Sequence, residues 1–212
     1  MKMLKNLLLM AWLSVFVIAS GGERQYPAVP ARSTVVILGD SLTYGTGANK
    51  GEDYVSMLAG NTGWNIINAG VPGSTSFDGL QRLPALLDDH KIDLLIVELG
   101  GNDFLKHLPE AETANNLKAI LAQAKVNNIQ TVLLAIPEFS PLGAAVGSLS
   151  DHPLYEKLAE DTGTPLVEDV FSDVLEKNGL KADQIHPNAE GYRVVEEHLR
   201  KALIKRGFLV GK

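Results

Sequence analysis

The sequence predicts an α/β protein, a three-layer α/β/α sandwich around a mostly parallel sheet of five strands. Short runs rich in β-branched and aliphatic residues recur about every 30 to 38 residues. These runs are apolar on both faces, as the covered strands of a parallel sheet are. Helical segments lie between them, and this alternation indicates right-handed βαβ units. The predicted strands span residues 34–38, 64–68, 93–97, 131–135 and 165–167.

Two of the helical segments carry an apolar stripe with the period of an amphipathic helix. The stripe consists of Leu117, Ile120, Leu121 and Ala124 in one segment, and of Tyr192, Val195, Leu199 and Ala202 in the last. A further helix is expected over residues 75–90. Pro84 should kink or split that helix, because proline lacks an N–H donor and its ring clashes with the preceding turn.

The length and composition are those of one globular domain. The chain has 212 residues, of which 45% are apolar and 21% are charged, and this balance excludes a disordered polyelectrolyte. The net charge of -6, with basic residues scattered among acids, argues against a nucleic-acid partner. The sequence contains no cysteine, which excludes disulfides, thiolate metal sites and cysteine nucleophiles.

The N-terminal segment has the order of a secretory signal. A basic start is followed by an apolar run over residues 7–19 and then by small residues. The run is too short to span a membrane, which takes about 20 apolar residues. We therefore expect a signal peptide over residues 1–20, a tether over residues 21–33 and one folded domain over residues 34–207.

The end of this signal, Val17-Ile-Ala-Ser20, resembles the cleavage box of bacterial lipoproteins, with serine in the position of the lipidated cysteine. We hypothesise that the chain is, or derives from, a lipoprotein whose anchor cysteine is missing. This hypothesis implies membrane association through the N-terminus. Mass spectrometry of the processed N-terminus tests it.

Polar or glycine-rich segments follow the first three predicted strands. They comprise residues 39–43, 70–74 and 100–103, and a fourth such segment, residues 183–187, precedes the last helix. Open parallel sheets bind their ligands at the carboxyl ends of the strands. We expect the four segments to meet there and to form the functional site.

Three residues of these segments have the chemistry of acyl transfer. Ser41 leaves a buried strand and enters a helix, where nearby N–H groups favour developing negative charge. By itself, a serine before a helix is more often an N-cap. Gly73 and Asn102 offer a backbone N–H and a side-chain amide, the donors of an oxyanion hole; taken singly, each is equally typical of a turn.

Asp183 and His186 are close enough for the carboxylate to orient the imidazole, whose other nitrogen would then face a nucleophile. Pro187 disfavours helical geometry at His186 and suits the first helical position itself. The alternative is a polar helix entry at the surface. The other histidines, His90, His107, His152 and His198, have no evident ligand partners, so we expect them at the surface and expect no metal site.

Taken together, the four segments resemble the motif blocks of the SGNH hydrolase family, also called the GDSL family. The blocks occur in the family's order as Gly39-Asp-Ser-Leu42, Asn68-Ala-Gly-Val-Pro-Gly73-Ser-Thr75, Gly100-Gly-Asn-Asp103 and Asp183-Gln-Ile-His186-Pro187. The resemblance extends from Val35 to about Lys205. It implies a flavodoxin-like fold and catalysis without a metal or organic cofactor.

The resemblance also implies a role for each motif residue. Ser41 would be the nucleophile and, through its own N–H, an oxyanion donor together with Gly73 and Asn102. His186 would be the general base, and Asp183 would orient it.

Two further stretches, residues 83–87 and 97–103, are similar to the bacterial periplasmic subgroup with thioesterase, arylesterase and lysophospholipase activity. The subgroup implies a small-molecule or lipid acyl ester as substrate and a location in the periplasm or cell envelope. Residues 137–153 depart from the subgroup because they are small, apolar and poor in basic residues. We expect this segment to border the acyl pocket and to be mobile.

Three alternative functions differ from this one in the substrate or in the class of protein. An O-acetylesterase acting on a polysaccharide keeps the chemistry and changes the substrate. A nucleotide-binding domain is suggested by Gly45-Thr-Gly47-Ala-Asn-Lys-Gly51 after a strand, but its GxGxxxG spacing matches neither the dinucleotide nor the P-loop pattern. A carbohydrate-binding module without catalysis would not need the complete set of motif residues.

Overall fold

A parallel sheet forms the centre of the structure, a computed structural model that describes residues 26–138 and 148–211. Within these residues the sheet has five strands in the order β2-β1-β3-β4-β5, and every neighbouring pair is parallel. This is the flavodoxin-like order, so the predicted fold is confirmed. The strands are β1 Thr34–Gly39, β2 Asn65–Gly70, β3 Leu94–Glu98, β4 Gln130–Leu134 and β5 Leu166–Val167.

Helices cover both faces of the sheet. Helices α3 and α5 pack together on one face, and α2 packs with α8 on the other. The described helices are α1 Ser41–Tyr44, α2 Tyr54–Thr62, α3 Ser76–Asp89, α4 Gly101–Leu105, α5 Glu110–Val126, α6 Leu154–Thr162, α7 Ser172–Leu175 and α8 Ala189–Lys205, with a 3-10 turn at Asn178–Leu180. The two apolar stripes of the sequence are the inner faces of α5 and α8.

Strand burial follows position in the sheet. β1 and β3 have neighbours on both sides and are almost completely buried, as the apolar runs predict. β2 lies at the edge and is only partly buried. The expectation of burial on both faces is therefore wrong for β2, whereas β5, at the other edge, is buried.

Pro84 does not split α3, which continues from Ser76 to Asp89. The turns on both sides of the proline are held by packing, since Leu83 is fully buried and Leu86 and Leu87 pack against the core. A capping box between Thr75 and Asp78 satisfies the first N–H groups of the helix. Tertiary contacts thus maintain a helix that proline alone would interrupt.

The segment expected to be a tether contacts the domain from Tyr26 onward. The rings of Tyr26 and Phe208 stack with centroids 4.7 Å apart. Val29 is buried, and its carbonyl accepts a hydrogen bond from the Trp64 indole at 3.0 Å. Residues on either side of the expected bounds 34 and 207 thus contact each other, because Tyr26 stacks on Phe208 and the Val29 N–H donates to the Phe208 carbonyl at 2.8 Å.

The predicted signal peptide lies in residues 1–25, outside the described residues. In the part of the chain that the structure describes, no helix combines the length and apolar character needed to cross a membrane.

Candidate active site

The turn after β1 positions Ser41 at the carboxyl end of the sheet. Gly39 has no room for a Cβ atom, because the side chains of Thr43 and Glu98 occupy that space. Asp40, not Ser41, is the N-cap of α1, and its carboxylate accepts the Leu42 N–H at 2.9 Å. The N-cap alternative for Ser41 is therefore wrong, and its hydroxyl is free to contact the histidine loop.

Ser41, His186 and Asp183 form one hydrogen-bonded series. The Ser41 Oγ lies 2.9 Å from His186 Nε2, and His186 Nδ1 lies 2.7 Å from Asp183 Oδ2. Residues 145 positions apart in sequence are thus brought into contact by the sheet and the loop before α8. The structure thus brings the three predicted residues into one hydrogen-bonded series.

Local hydrogen bonds shape the loop that carries His186. Asp183 Oδ1 accepts the N–H groups of Ile185 at 2.9 Å and of His186 at 2.8 Å. Desolvation tends to raise the pKa of Asp183, but these bonds and the one from the His186 ring outweigh it and hold the pKa below its ordinary value. The carboxylate is therefore ionised at neutral pH, as a partner for an imidazolium must be.

The glycine-rich loop that suggested nucleotide binding has a packing role. Gly47 has a φ of 100°, and a Cβ atom there would collide with the carbonyl of Pro187. The Thr46 carbonyl accepts the Tyr192 hydroxyl at 2.8 Å. These contacts seat the loop against the segment that carries His186.

The two predicted oxyanion donors follow β2 and β3, the strands on either side of β1. The Asn102 amide donates to Asp40 Oδ2 at 2.8 Å and to the Ser74 carbonyl at 3.0 Å. Gly73 has a φ of 79°, and its carbonyl accepts Lys106 Nζ at 3.0 Å. Asn102 thus ties the glycine turn to the residue that precedes Ser41.

Two buried carboxyl groups lie beneath the nucleophile turn. Glu98 Oε2 accepts the N–H groups of Asp40 and Thr43 at 3.3 and 3.1 Å, and the Thr43 hydroxyl at 2.6 Å. Burial raises the pKa of Glu98 well above its ordinary value, and the charge of Asp40 raises it further. Burial also raises the pKa of Asp40 to about 6, although hydrogen bonds from Leu42 and Asn102 oppose the rise.

Sequence reasoning missed Glu98 and two other residues that organise the site. Arg82 donates to the carbonyls of Ala69 and Gly39 at 2.7 and 3.1 Å and to Ser74 Oγ at 2.9 Å, joining two strand ends to the Gly73 turn. Asp103 is buried and accepts the Ser76 N–H at 2.8 Å. The sequence offered one indication that Glu98 has a role in the site, namely that it is a charged residue at the end of an otherwise apolar strand.

A pocket of about 260 Å³ opens beside Ser41 and His186. Its apolar wall includes Leu42, Phe104, Leu105, Ile136, Leu149 and Ile185. The segment 137–153 borders this pocket through Pro137, Glu138 and Leu149, as predicted, while its stretch 139–147 lies outside the described residues.

His152 is not the surface residue that the sequence suggested. It is half-buried, and its ring stacks on Phe104 with centroids 4.1 Å apart. The stack supports the pocket wall from behind. In the described ranges 26–138 and 148–211, no group of three potential ligands is arranged to hold a metal ion.

The sandwich fold, with a Ser-His-Asp series at the carboxyl end of its sheet, defines a protein of the hydrolase class. The sequence matches the GDSL-like lipase/acylhydrolase family over residues 37–194. The chain therefore belongs to this family and is an SGNH or GDSL carboxylic-ester hydrolase.

Individual relatives agree with this assignment. Thioesterase 1/protease 1/lysophospholipase L1 of Escherichia coli is 33% identical over 178 residues, which cover 82% of this chain and 84% of the relative. The psychrotrophic esterase EstA from Pseudoalteromonas sp. is 28% identical, with a TM-score of 0.70 over 82% of this chain and 97% of its own. The SGNH-hydrolase family esterase AlinE4 is 33% identical, with a TM-score of 0.63 over 84% and 98% of the two chains.

Proposed function

We propose that this protein hydrolyses carboxylic esters or thioesters through an acyl-enzyme on Ser41. The observation that carries the proposal is the hydrogen-bonded series from Ser41 through His186 to Asp183, with distances of 2.9 and 2.7 Å. In this arrangement the imidazole contacts the nucleophile with one nitrogen and the carboxylate with the other. That is the relation a general base requires.

The reaction proceeds in two transfers. Ser41 Oγ bonds to the acyl carbon while His186 Nε2 takes its proton, and the same imidazole then protonates the leaving oxygen or sulfur as its bond to carbon breaks. Water next attacks the acyl-enzyme and gives its proton to His186, which returns a proton to Ser41. Asp183 keeps the imidazole oriented and stabilises its cationic form.

The oxyanion that forms at each attack is stabilised by the N–H groups of Ser41 and Gly73 and by the Asn102 amide. The bonds from the Asn102 amide to Asp40 Oδ2 and to the Ser74 carbonyl keep this side chain ordered beside the nucleophile turn. Donors that are already ordered need no reorganisation during the reaction.

The apolar pocket beside Ser41 supports an acyl chain as the group transferred. Its mainly aliphatic and aromatic wall suits an acyl chain better than a glycan, although polar side chains also line the pocket, and this disfavours the O-acetylesterase alternative. Relatives named thioesterase, lysophospholipase and arylesterase agree with a lipid or aryl acyl ester.

Replacement of Ser41 tests the mechanism. Ser41→Ala should lower kcat/KM for p-nitrophenyl esters by about 10⁵-fold or more, since the nucleophile acts as a unit with its base. Ser148→Ala, at an exposed serine in the described part of the pocket segment, serves as the matched control. Wild-type turnover by a folded Ser41→Ala variant would refute the proposal.

A panel of esters from acetate to palmitate tests the substrate. The apolar wall predicts that kcat/KM rises with chain length, because each buried methylene contributes about 0.8 kcal/mol. Activity on acetate alone would support the O-acetylesterase instead.

We also propose that the chain is exported to the periplasm or cell envelope. The basic start and the apolar run over residues 7–19 support a signal peptide. Mass spectrometry of the secreted protein should find a new N-terminus near residue 20. An unprocessed N-terminus on protein recovered from the cytoplasm would contradict the proposal.

A further inference from the structure

Lys181 is a basic residue in the pocket wall for which the described part of the chain offers no acidic partner. It is half-buried and lines the pocket together with Gln184, Ile185 and His186. Among the described residues, no carboxylate lies within ion-pair distance of its ammonium group. A half-buried cation without a partner gains more from a bound anion than an exposed one does.

The position of Lys181 relative to His186 is set by backbone contacts. Lys181 and Pro187 form an antiparallel bridge across the loop, and the N–H of Ala182 donates to the His186 carbonyl at 2.9 Å. The Asn188 amide donates to the Lys181 carbonyl at 3.3 Å. Lys181 is therefore attached to the same rigid loop as the imidazole.

The chemistry of the site decides which part of a substrate meets this loop. His186 must protonate the leaving oxygen or sulfur, so the leaving group departs on the side of the histidine. Phe104, Leu105 and Ile136 line the pocket without a polar side chain, and we place the acyl chain against them. Lys181 thus borders the leaving group and not the acyl chain.

The negative charge of the protein makes a cation at the pocket relevant to which substrates can bind. The chain carries a net charge of -6, and Glu138 contributes a carboxylate to the pocket rim. An anionic substrate is repelled by such a surface unless a local cation receives it. Lys181 supplies that cation beside the leaving group.

We propose that Lys181 binds a phosphate group on the leaving group, so that the favoured substrates are acyl esters or thioesters whose leaving group carries phosphate. This inference rests on the proposed function. The phosphate belongs either to a lysophospholipid headgroup or to the pantetheine-nucleotide part of an acyl-CoA, and the two sources share the same recognition chemistry.

The test compares Lys181→Gln, Lys181→Arg and Lys177→Gln with wild type. Lys177 lies on the same connection, is exposed and pairs with Glu176 at 3.8 Å, so it controls for the loss of one positive charge. Palmitoyl-CoA and palmitoyl lysophosphatidylglycerol carry phosphate, and p-nitrophenyl palmitate does not. The measured quantity is the ratio of kcat/KM on each phosphate substrate to that on the neutral ester.

We expect Lys181→Gln to lower this ratio about tenfold through KM, the effect of losing one charge-assisted hydrogen bond. Lys181→Arg should retain most of the ratio, and Lys177→Gln should leave it unchanged. A loss confined to palmitoyl-CoA or to the lysophospholipid supports the proposal and identifies the source of the phosphate. An unchanged ratio in Lys181→Gln, or an equal fall in Lys177→Gln, overturns it.

Failure of the underlying function is distinguishable from failure of this inference. If wild type hydrolyses p-nitrophenyl palmitate and Ser41→Ala does not, the proposed function stands whatever Lys181 does. If neither protein hydrolyses any of the three esters, both proposals fall.

Discussion

Asp40→Asn tests whether the carboxylate beside the nucleophile lowers the stability of the fold. Asp40 is 2% exposed, and burial raises the pKa of its carboxyl group from the ordinary 3.8 to about 6. One pKa unit corresponds to about 1.4 kcal/mol, so the rise amounts to about 3 kcal/mol. The free energy of unfolding is therefore about 3 kcal/mol lower when Asp40 is ionised than when it is protonated.

The direction of the pH dependence follows from proton binding. Because the pKa is higher in the folded state, the folded protein holds the proton more tightly between about pH 4 and about pH 6. The contribution of Asp40 to stability is therefore present below about pH 4 and is lost as the pH rises through about 6. Asparagine does not titrate, so the variant should gain about 3 kcal/mol relative to wild type between about pH 4 and about pH 8.

Urea unfolding of both proteins, followed by circular dichroism at constant ionic strength, measures this difference. Glu98, Asp103 and His186 face the same carboxylate and remain in both proteins. Removing the charge of Asp40 also relieves Glu98, which acts in the same direction. Asp88→Asn, at an exposed aspartate of α3, is the matched control and should show no such trend.

The same variant should also be slower at about pH 8. Asp40 accepts the Asn102 amide, and an asparagine side chain would face that amide with its own NH₂ group or turn away from the Leu42 N–H. We expect turnover of p-nitrophenyl esters at about pH 8 to fall at least about tenfold, a trade of stability against activity. A stability difference that stays flat between about pH 4 and about pH 8 would refute the reasoning.

Two further substitutions test the oxyanion donors and the backbone. Asn102→Ala should lower kcat for p-nitrophenyl esters about 100- to 1000-fold while the circular dichroism spectrum remains that of wild type, and an unchanged kcat would exclude the amide from catalysis. Gly100→Ala should destabilise the protein by about 3 kcal/mol in urea unfolding, because Gly100 has a φ of 122° and a Cβ atom there would collide with the Tyr155 hydroxyl. Gly60→Ala, at a helical glycine with open space, is the control and should be neutral or slightly stabilising; equal unfolding midpoints for the two alanine variants would contradict this account.

The fold could be predicted because buried parallel strands leave a strong pattern in the sequence. β1 and β3 are nearly continuous apolar runs, and their observed bounds differ from the predicted ones by a single residue at most. β2 was predicted to within two residues in position but not in burial, and its place at an edge of the sheet is set by the order of the strands. Sequence periodicity carries no information about that order.

The site was predictable to the extent that its residues form local motifs. Ser41 follows a strand, and Asp183 lies three residues before His186, so short-range spacing was enough to nominate them. Glu98 and Arg82 were missed because their bonds join residues 58 and 43 positions apart. Such contacts arise only when neighbouring strands bring their ends together.

The sequence by itself determined the strand and helix pattern, and it nominated the residues that meet at the carboxyl edge of the sheet. These properties depend on local periodicity and short spacing. The tertiary structure decided that α3 continues through Pro84, that Tyr26 and Val29 pack beside Phe208, and that Lys181 lines the pocket together with His186. Each of these features depends on packing between segments that are distant in sequence. The free energy of that packing overrides local conformational preference, and it cannot be read from any short stretch of the chain.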